Sequence, residues 1–286
     1  MAVIWPPSLV EELADRRCIL VLGAGASASC VGNGGTRPPL WRSFLVTAIN
    51  ELVPNADTKI IAVDLLDKER FLDCAEVIIE AANKADFARF IRRTFVQPRF
   101  KPCNIHELVL TLDPKVVITT NYDEIYDHYC RDGEAKDGYN VCKYYEDHAL
   151  NALRSPERLI LKAHGCVSDP DKIILSRSQY FNARRLHVQF YNILDGLFLV
   201  NTALFVGCSL VDPDLQLILE NVNLSAHSSH PHYALIEAGT SPAVCSSFKR
   251  TYNVQLLEYD VGHHEQVPAA LAELSELVLD RRQRPS

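Results

Sequence analysis

The stretch 116-VVITTNYDEIYDHY-129 decides how the chain is read. Val116, Val117 and Ile118 form an apolar, β-branched run without polar alternation, the pattern of a strand covered on both faces in a parallel sheet. The run ends abruptly in Thr119, Thr120, Asn121, Tyr122 and Asp123. In open α/β sheets ligands bind at the carboxyl ends of strands, so these small polar groups occupy a ligand position. They also suit a helix start with Asn121 or Asp123 as the N-cap, and both readings stand at this point.

Outward from this stretch the same pattern recurs. The segment 18-CILVLGAGAS-27 reads as a strand opening into a glycine turn, preceded by a helix over residues 7–17. Further strands are expected at 159-LILKAHG-165, 172-KIILS-176, 203-ALFVGCS-209, 232-HYALIE-237 and 254-VQLLEY-259. Helical patterns separate most of them, and 267-VPAALAELSELVLD-280 closes the chain as an amphipathic helix. This alternation predicts an α/β fold with a Rossmann-like, doubly wound, mostly parallel sheet.

Between the strands at 18 and 116 the apolar spacing is helical at 41-WRSFLVTAINEL-52, 71-FLDCAEVIIEAA-82 and 86-DFARFIRRTF-95, and Asn104 is placed to cap a helix through 105-IHELVLTL-112. A connection of about 70 residues is far longer than one crossover helix, so a helical insert over about 41–112 is expected within a single domain spanning 1–286. The uncharged run 196-GLFLVNTALFVGCSLV-211 contains Asn201, Thr202 and Ser209 and is short for a membrane span. It reads as a helix end running into a buried strand.

With 286 residues, 48% hydrophobic and 23% charged, the chain is long enough and apolar enough for a sizeable core. A net charge of -7 argues against direct binding to nucleic acid or to anionic membrane, since phosphate recognition draws on basic surface. The N-terminus lacks the layout of a signal peptide, which predicts a reducing, cytoplasmic setting for the nine cysteines. No C-x-x-C pair occurs, so no zinc site is expected, and Cys18, Cys74 and Cys208 read as small buried hydrophobes.

Four strand ends carry groups capable of chemistry. Gly23, Ala24, Gly25 and Ser27 form a turn in which backbone N–H groups can approach a pyrophosphate, although a glycine turn that merely joins strand to helix has the same composition. His164 ends its strand where a group with near-neutral pKa can act as a base, or can equally be a satisfied core histidine. Gly207 and Ser209 end the next strand, while Asp212 as N-cap with Pro213 at N1 explains the helix that follows. The loop 227-HSSHPHY-233 spaces His227, His230 and His232 like metal ligands but has no acidic or thiol donor nearby, and reads as a solvated loop. His263 and His264 receive no role.

Together GAGAS, TTNYD, KAHG and VGCSLVDPD resemble the sirtuin-like family, most closely the bacterial sirtuin-like NAD hydrolases of antiphage defence. The resemblance implies that Gly23, Ala24, Gly25 and Ser27 bind the NAD+ phosphates. It implies that Asn121 and Asp123 flank the nicotinamide ribose, with Thr120 contacting NAD+ in the same turn. His164 would work on the ribose hydroxyls, and Gly207 and Ser209 would meet the adenosine side.

Deacylating sirtuins differ in three places. Their paired zinc-binding C-x-x-C motifs are absent, 32-GNGGTRPPLW-41 stands where they carry a Pro-Asp-Phe-Arg run, and TTNYD replaces Gln-Asn-Ile-Asp. The resemblance therefore implies an NAD+ glycohydrolase whose catalytic residues are Asn121, His164 and Asp123, with NAD+ as substrate and no metal. An NAD-dependent deacylase and a non-catalytic NAD or ADP-ribose sensing module are the alternatives. A toxic activity of this kind needs control, and the family implies self-association into a homo-oligomer and a separate HerA-type ATPase or other sensor subunit as partner.

Overall fold

Seven strands form one sheet: β1 (Cys18–Leu22), β2 (Val116–Thr119), β3 (Tyr139–Lys143), β4 (Arg158–Lys162), β5 (Thr202–Val206), β6 (His232–Glu237) and β7 (Val254–Tyr259). Their order is β3-β4-β2-β1-β5-β6-β7, and every neighbouring pair is parallel. The computed structural model describes residues 3–132, 139–226 and 228–284.

Alternate residues of the strands enter different cores, as a sheet covered on both faces requires. Leu20, Leu22, Val117, Ile160, Leu204 and Val206 pack on one side, against α1 (Pro7–Ala14), α7 (Asn104–Leu112), α8 (Ile125–Asp132) and α14 (Gln266–Gln283). Ile19, Val21, Ile118, Leu159, Leu161 and Phe205 pack on the other, against α9 (Ala149–Arg154), α10 (Arg177–Leu186), α11 (Val188–Val200) and α12 (Pro213–Ser225). The Rossmann-like α/β architecture is thus observed, and the sheet is wholly parallel. The uncharged run at 196–211 is the end of α11 followed by β5, and no described helix is long and apolar enough to cross a membrane.

Helices α3 (Trp41–Leu52), α4 (Ala56–Asp67), α5 (Phe71–Ala81), α6 (Lys84–Phe95) and α7 lie between β1 and β2. Phe44, Ile78, Phe90 and Ile91 of this insert share a core with Cys166, Val167, Ile173 and Leu175 from the segment after β4. The insert therefore sits directly over the strand end that carries His164.

Three local expectations are revised. Lys172 closes a 3-10 helix (Pro170–Lys172) and residues 173–176 run on without strand pairing; the Ile174 amide bonds to the His164 carbonyl at 3.0 Å, and the buried Ile173 and Leu175 serve the insert core. The edge strand β3 was hidden by Asn140 and Lys143 in its short sequence. Asn104 is the first residue of α7 and Cys103 is the N-cap: the Cys103 sulfur accepts from the His106 amide, while the His106 ring accepts from the Cys103 amide.

Candidate functional site

The motif-bearing strands β4, β2, β1 and β5 are consecutive neighbours at the centre of the sheet. The chain leaves β1 for β2 on one side and later returns to β5 on the other, so the carboxyl ends of β1 and β5 flank a topological switch point. All the candidate residues gather along this central edge.

The glycine loop and the β5 end are pressed together. The Gly23 amide donates to the Val206 carbonyl at 3.1 Å and the Gly25 amide to the Gly207 carbonyl at 2.9 Å. A Cβ on Gly25 would lie 2.8 Å from the Gly207 Cα, and one on Gly207, whose φ is +64°, would lie 2.2 Å from the Ala26 nitrogen. Backbone against backbone leaves no room for side chains, which accounts for these glycines. Ala24 and Ser209 face solvent, whereas Ser27 is buried.

Asn121 ties β2 to this loop. Its Nδ2 donates to the Gly23 carbonyl at 3.0 Å and to Ser27 Oγ at 3.3 Å, and its amide donates to Thr119 Oγ1 at 3.0 Å. With Nδ2 committed, Oδ1 is the atom available to accept a hydrogen bond from a ligand. Thr120 is held by its amide on the Leu22 carbonyl at 3.2 Å. Asp123 is buried and its Oδ1 accepts from the Ile125 amide at 3.0 Å, the capping bond at the start of α8. Burial raises its pKa above the ordinary carboxylate value, against the pull of Lys162.

His164 is 3% exposed and lies two residues beyond Lys162, which pairs with Thr119 on β2. Asn121 stands two residues beyond Thr119, so the register sets both residues at the same level past adjacent strands. The imidazole sits among groups that sequence reading did not assign to a site. Tyr180 Oη is 3.4 Å from Nδ1 and donates to Asp212 Oδ2 at 2.9 Å. Nε2 lies 3.6 Å from Asp212 Oδ2 and 3.8 Å from Asp214 Oδ2, and has no hydrogen-bond partner among the described residues.

Asp214 is itself buried, accepts from Tyr191 Oη at 2.9 Å and has Arg184 Nε 3.3 Å from Oδ1, a contact without hydrogen-bond alignment. Burial raises its pKa to about 6, against the opposing charge of His164. Asp212 does cap α12 as expected, its Oδ1 accepting from the Asp214 and Leu215 amides at 3.0 Å, while Oδ2 serves Tyr180 and His164. A histidine backed by two carboxylates can accept a proton and keep the resulting charge compensated.

The His-rich loop is dispersed. His232 begins β6, buried, with Nδ1 accepting from the Ala203 amide at 3.0 Å and its pKa lowered by burial to about 4. His230 is exposed, and His227 lies outside the described residues.

A family model described as "SIR2-like domain" matches residues 115–257, half of the chain, including the ends of β2, β4 and β5. The chain belongs to the SIR2-like family. This SIR2-like chain is similar to three relatives among others. It is 27% identical over 136 residues to "NAD(+) hydrolase ThsA" of Acinetobacter baumannii, covering 47% of this chain and 28% of the relative. It is 31% identical over 243 residues to "Defense-associated sirtuin 2" of Bacillus subtilis, covering 82% of this chain and 22% of the relative. It is 28% identical over 133 residues to "NAD(+) hydrolase ThsA" of Enterococcus faecium, covering 46% and 27%. The SIR2-like chain thus spans less than a third of the length of each of these curated relatives.

Proposed function

We propose that the chain is an NAD+ glycohydrolase that cleaves the bond between nicotinamide and ribose, releasing nicotinamide and ADP-ribose. The observation that carries this reading is the pairing, on adjacent strand ends, of Asn121 bonded to the glycine loop with His164 backed by Asp212 and Asp214. Relatives named as NAD(+) hydrolases support it.

Departure of nicotinamide builds positive charge on the ribose, so the reaction needs orientation and electrostatic support more than a strong nucleophile. Asn121 Oδ1 orients the ribose or the attacking water. His164 takes the proton from a hydroxyl, and its charge is met by Asp212 and Asp214. Gly23, Ala24, Gly25 and Ser27 hold the phosphates, Gly207 and Ser209 meet the adenosine side, Thr120 contacts NAD+ beside Asn121, and Asp123 flanks the nicotinamide ribose from the turn that its bond to the Ile125 amide fixes.

The name of the Bacillus subtilis relative supports a role as the NAD-depleting effector of an antiphage defence complex. Such an activity is held in check by assembly, through self-association and a HerA-type ATPase or another sensor subunit.

The test is nicotinamide release by the purified chain, alone and with that partner, beside Asn121→Ala and His164→Ala variants checked for intact circular dichroism and melting. Loss of release in both variants is the expected result. Release that persists in both overturns the site, and NAD+ binding without release from the wild type favours the sensing module.

A further inference from the structure

Three donor side chains from separated parts of the sequence converge beside the glycine loop. Cys30 Sγ lies 3.6 Å and Cys103 Sγ 3.5 Å from His106 Nδ1, and the three atoms are all within 4.8 Å of one another. Cys30 and His106 are each 1% exposed, whereas Cys103 is half-buried and gives the group access to solvent.

Hydrogen bonding alone does not account for this convergence. The imidazole Nδ1 carries either one proton or one lone pair, so it makes one good hydrogen bond. Here it is approached by two sulfurs and also by the Cys103 amide at 3.2 Å. The amide satisfies Nδ1 as the capping donor of α7, which leaves both sulfurs close to a ring nitrogen that has no hydrogen bond to spare for them, an arrangement that fits a common centre. Zinc bonds of about 2.3 Å to sulfur and about 2.0–2.1 Å to nitrogen, spread tetrahedrally, set sulfur and nitrogen about 3.5 Å apart. Both observed separations match that edge.

We propose that Cys30, Cys103 and His106 form a site for a soft divalent metal ion, zinc by the chemistry of its donors, with a fourth position left for water or an added ligand. Binding through Nδ1 exchanges the capping hydrogen bond from the Cys103 amide for a bond to the ion. Its thiolates come from opposite sides of the junction: Cys30 follows the short helix α2 (Ala24–Ser27) of the glycine loop, and Cys103 caps α7. Cys103 Sγ also lies 3.4 Å from the Ala26 carbonyl. The site would therefore clamp the glycine loop to α7. The paired C-x-x-C spacing that usually announces zinc is absent because the donors are distant in sequence, with only Cys103 and His106 sharing an element. The inference is independent of NAD+ cleavage.

The test uses the full chain, incubated with zinc, freed of unbound metal by gel filtration and assayed by elemental analysis, with cobalt substitution as a second readout. The expected result is about one zinc per chain, falling at least tenfold in Cys30→Ser and in His106→Gln but unchanged in Cys74→Ser, a buried thiol elsewhere. Cobalt in the wild type should give an intense thiolate charge-transfer band that Cys103→Ser weakens, a readout independent of how well the Cys30 and His106 variants fold. A zinc-free wild type whose cobalt spectrum lacks that band overturns the proposal. So does a Cys30–Cys103 disulfide found by mass spectrometry in the purified chain, which would make the cluster a redox pair.

Discussion

Lys162 and Asp127 form a buried ion pair, Nζ to Oδ2 at 3.0 Å, with side chains 0% and 4% exposed. Nζ also donates to the Asp123 carbonyl at 2.6 Å. Burial pulls the lysine's pKa down, and the facing carboxylates, Asp127 foremost, more than reverse it, leaving the ammonium above its ordinary value. One side chain on β4 thus fastens α8 and the turn that presents Asn121.

Removing one partner leaves the other as an uncompensated buried charge, so Lys162→Met should lower stability by about 3–5 kcal/mol. The double variant Lys162→Met with Asp127→Leu should recover most of that loss, because a well-packed apolar pair tolerates burial. Urea unfolding of the two variants checks this, and equal losses in both would show that the pair is not the fastening.

Gly207→Ala should destabilise the chain through its left-handed backbone, about 1–2 kcal/mol, and through the clash with the Ala26 nitrogen, about 1–3 kcal/mol. The melting temperature should fall on the order of 5–10 °C. A variant that melts like the wild type would mean that the glycine loop and the β5 end are not in contact in solution.

Asp214 gives the stability a pH dependence of unusual sign. Its folded pKa is about 6, above the value of about 4 in an unfolded chain, so the folded state binds more protons between those values. Stability contributed by this group is therefore full below about pH 4, declines as pH rises and is lost by about pH 6, a change of roughly 2–3 kcal/mol. Asp214→Asn should remove that decline. Denaturant midpoints of the two proteins at pH 4.5 and pH 7 measure it, and parallel behaviour would refute the assignment.

The fold was legible where strands are long and apolar: β1, β2, β4 and β5 announced themselves, each with its polar end. Strand β3 did not, because Asn140 and Lys143 break its short pattern at the sheet edge. The segment 172–176 misled because apolar residues are buried equally well beneath a helical insert and inside a sheet.

For the site, strand ends alone made Asn121 and His164 candidates beside an equally good structural reading, and only the combination of four motifs singled them out. The groups around His164 could not be found this way, since Tyr180, Arg184 and Tyr191 project from α10 and α11, and Asp212 and Asp214 have a complete local explanation as a helix start. Spatial convergence, not spacing, joins them.

The most direct measurement is mass spectrometry of NAD+ incubated in ¹⁸O-labelled water with the wild type and with His164→Ala, each alone and with the proposed ATPase or sensor subunit. Hydrolysis at the proposed site yields nicotinamide and ADP-ribose bearing one labelled oxygen from the wild type, and leaves NAD+ intact with the variant. Intact NAD+ from the wild type in every condition, or equal release by the variant, would contradict it.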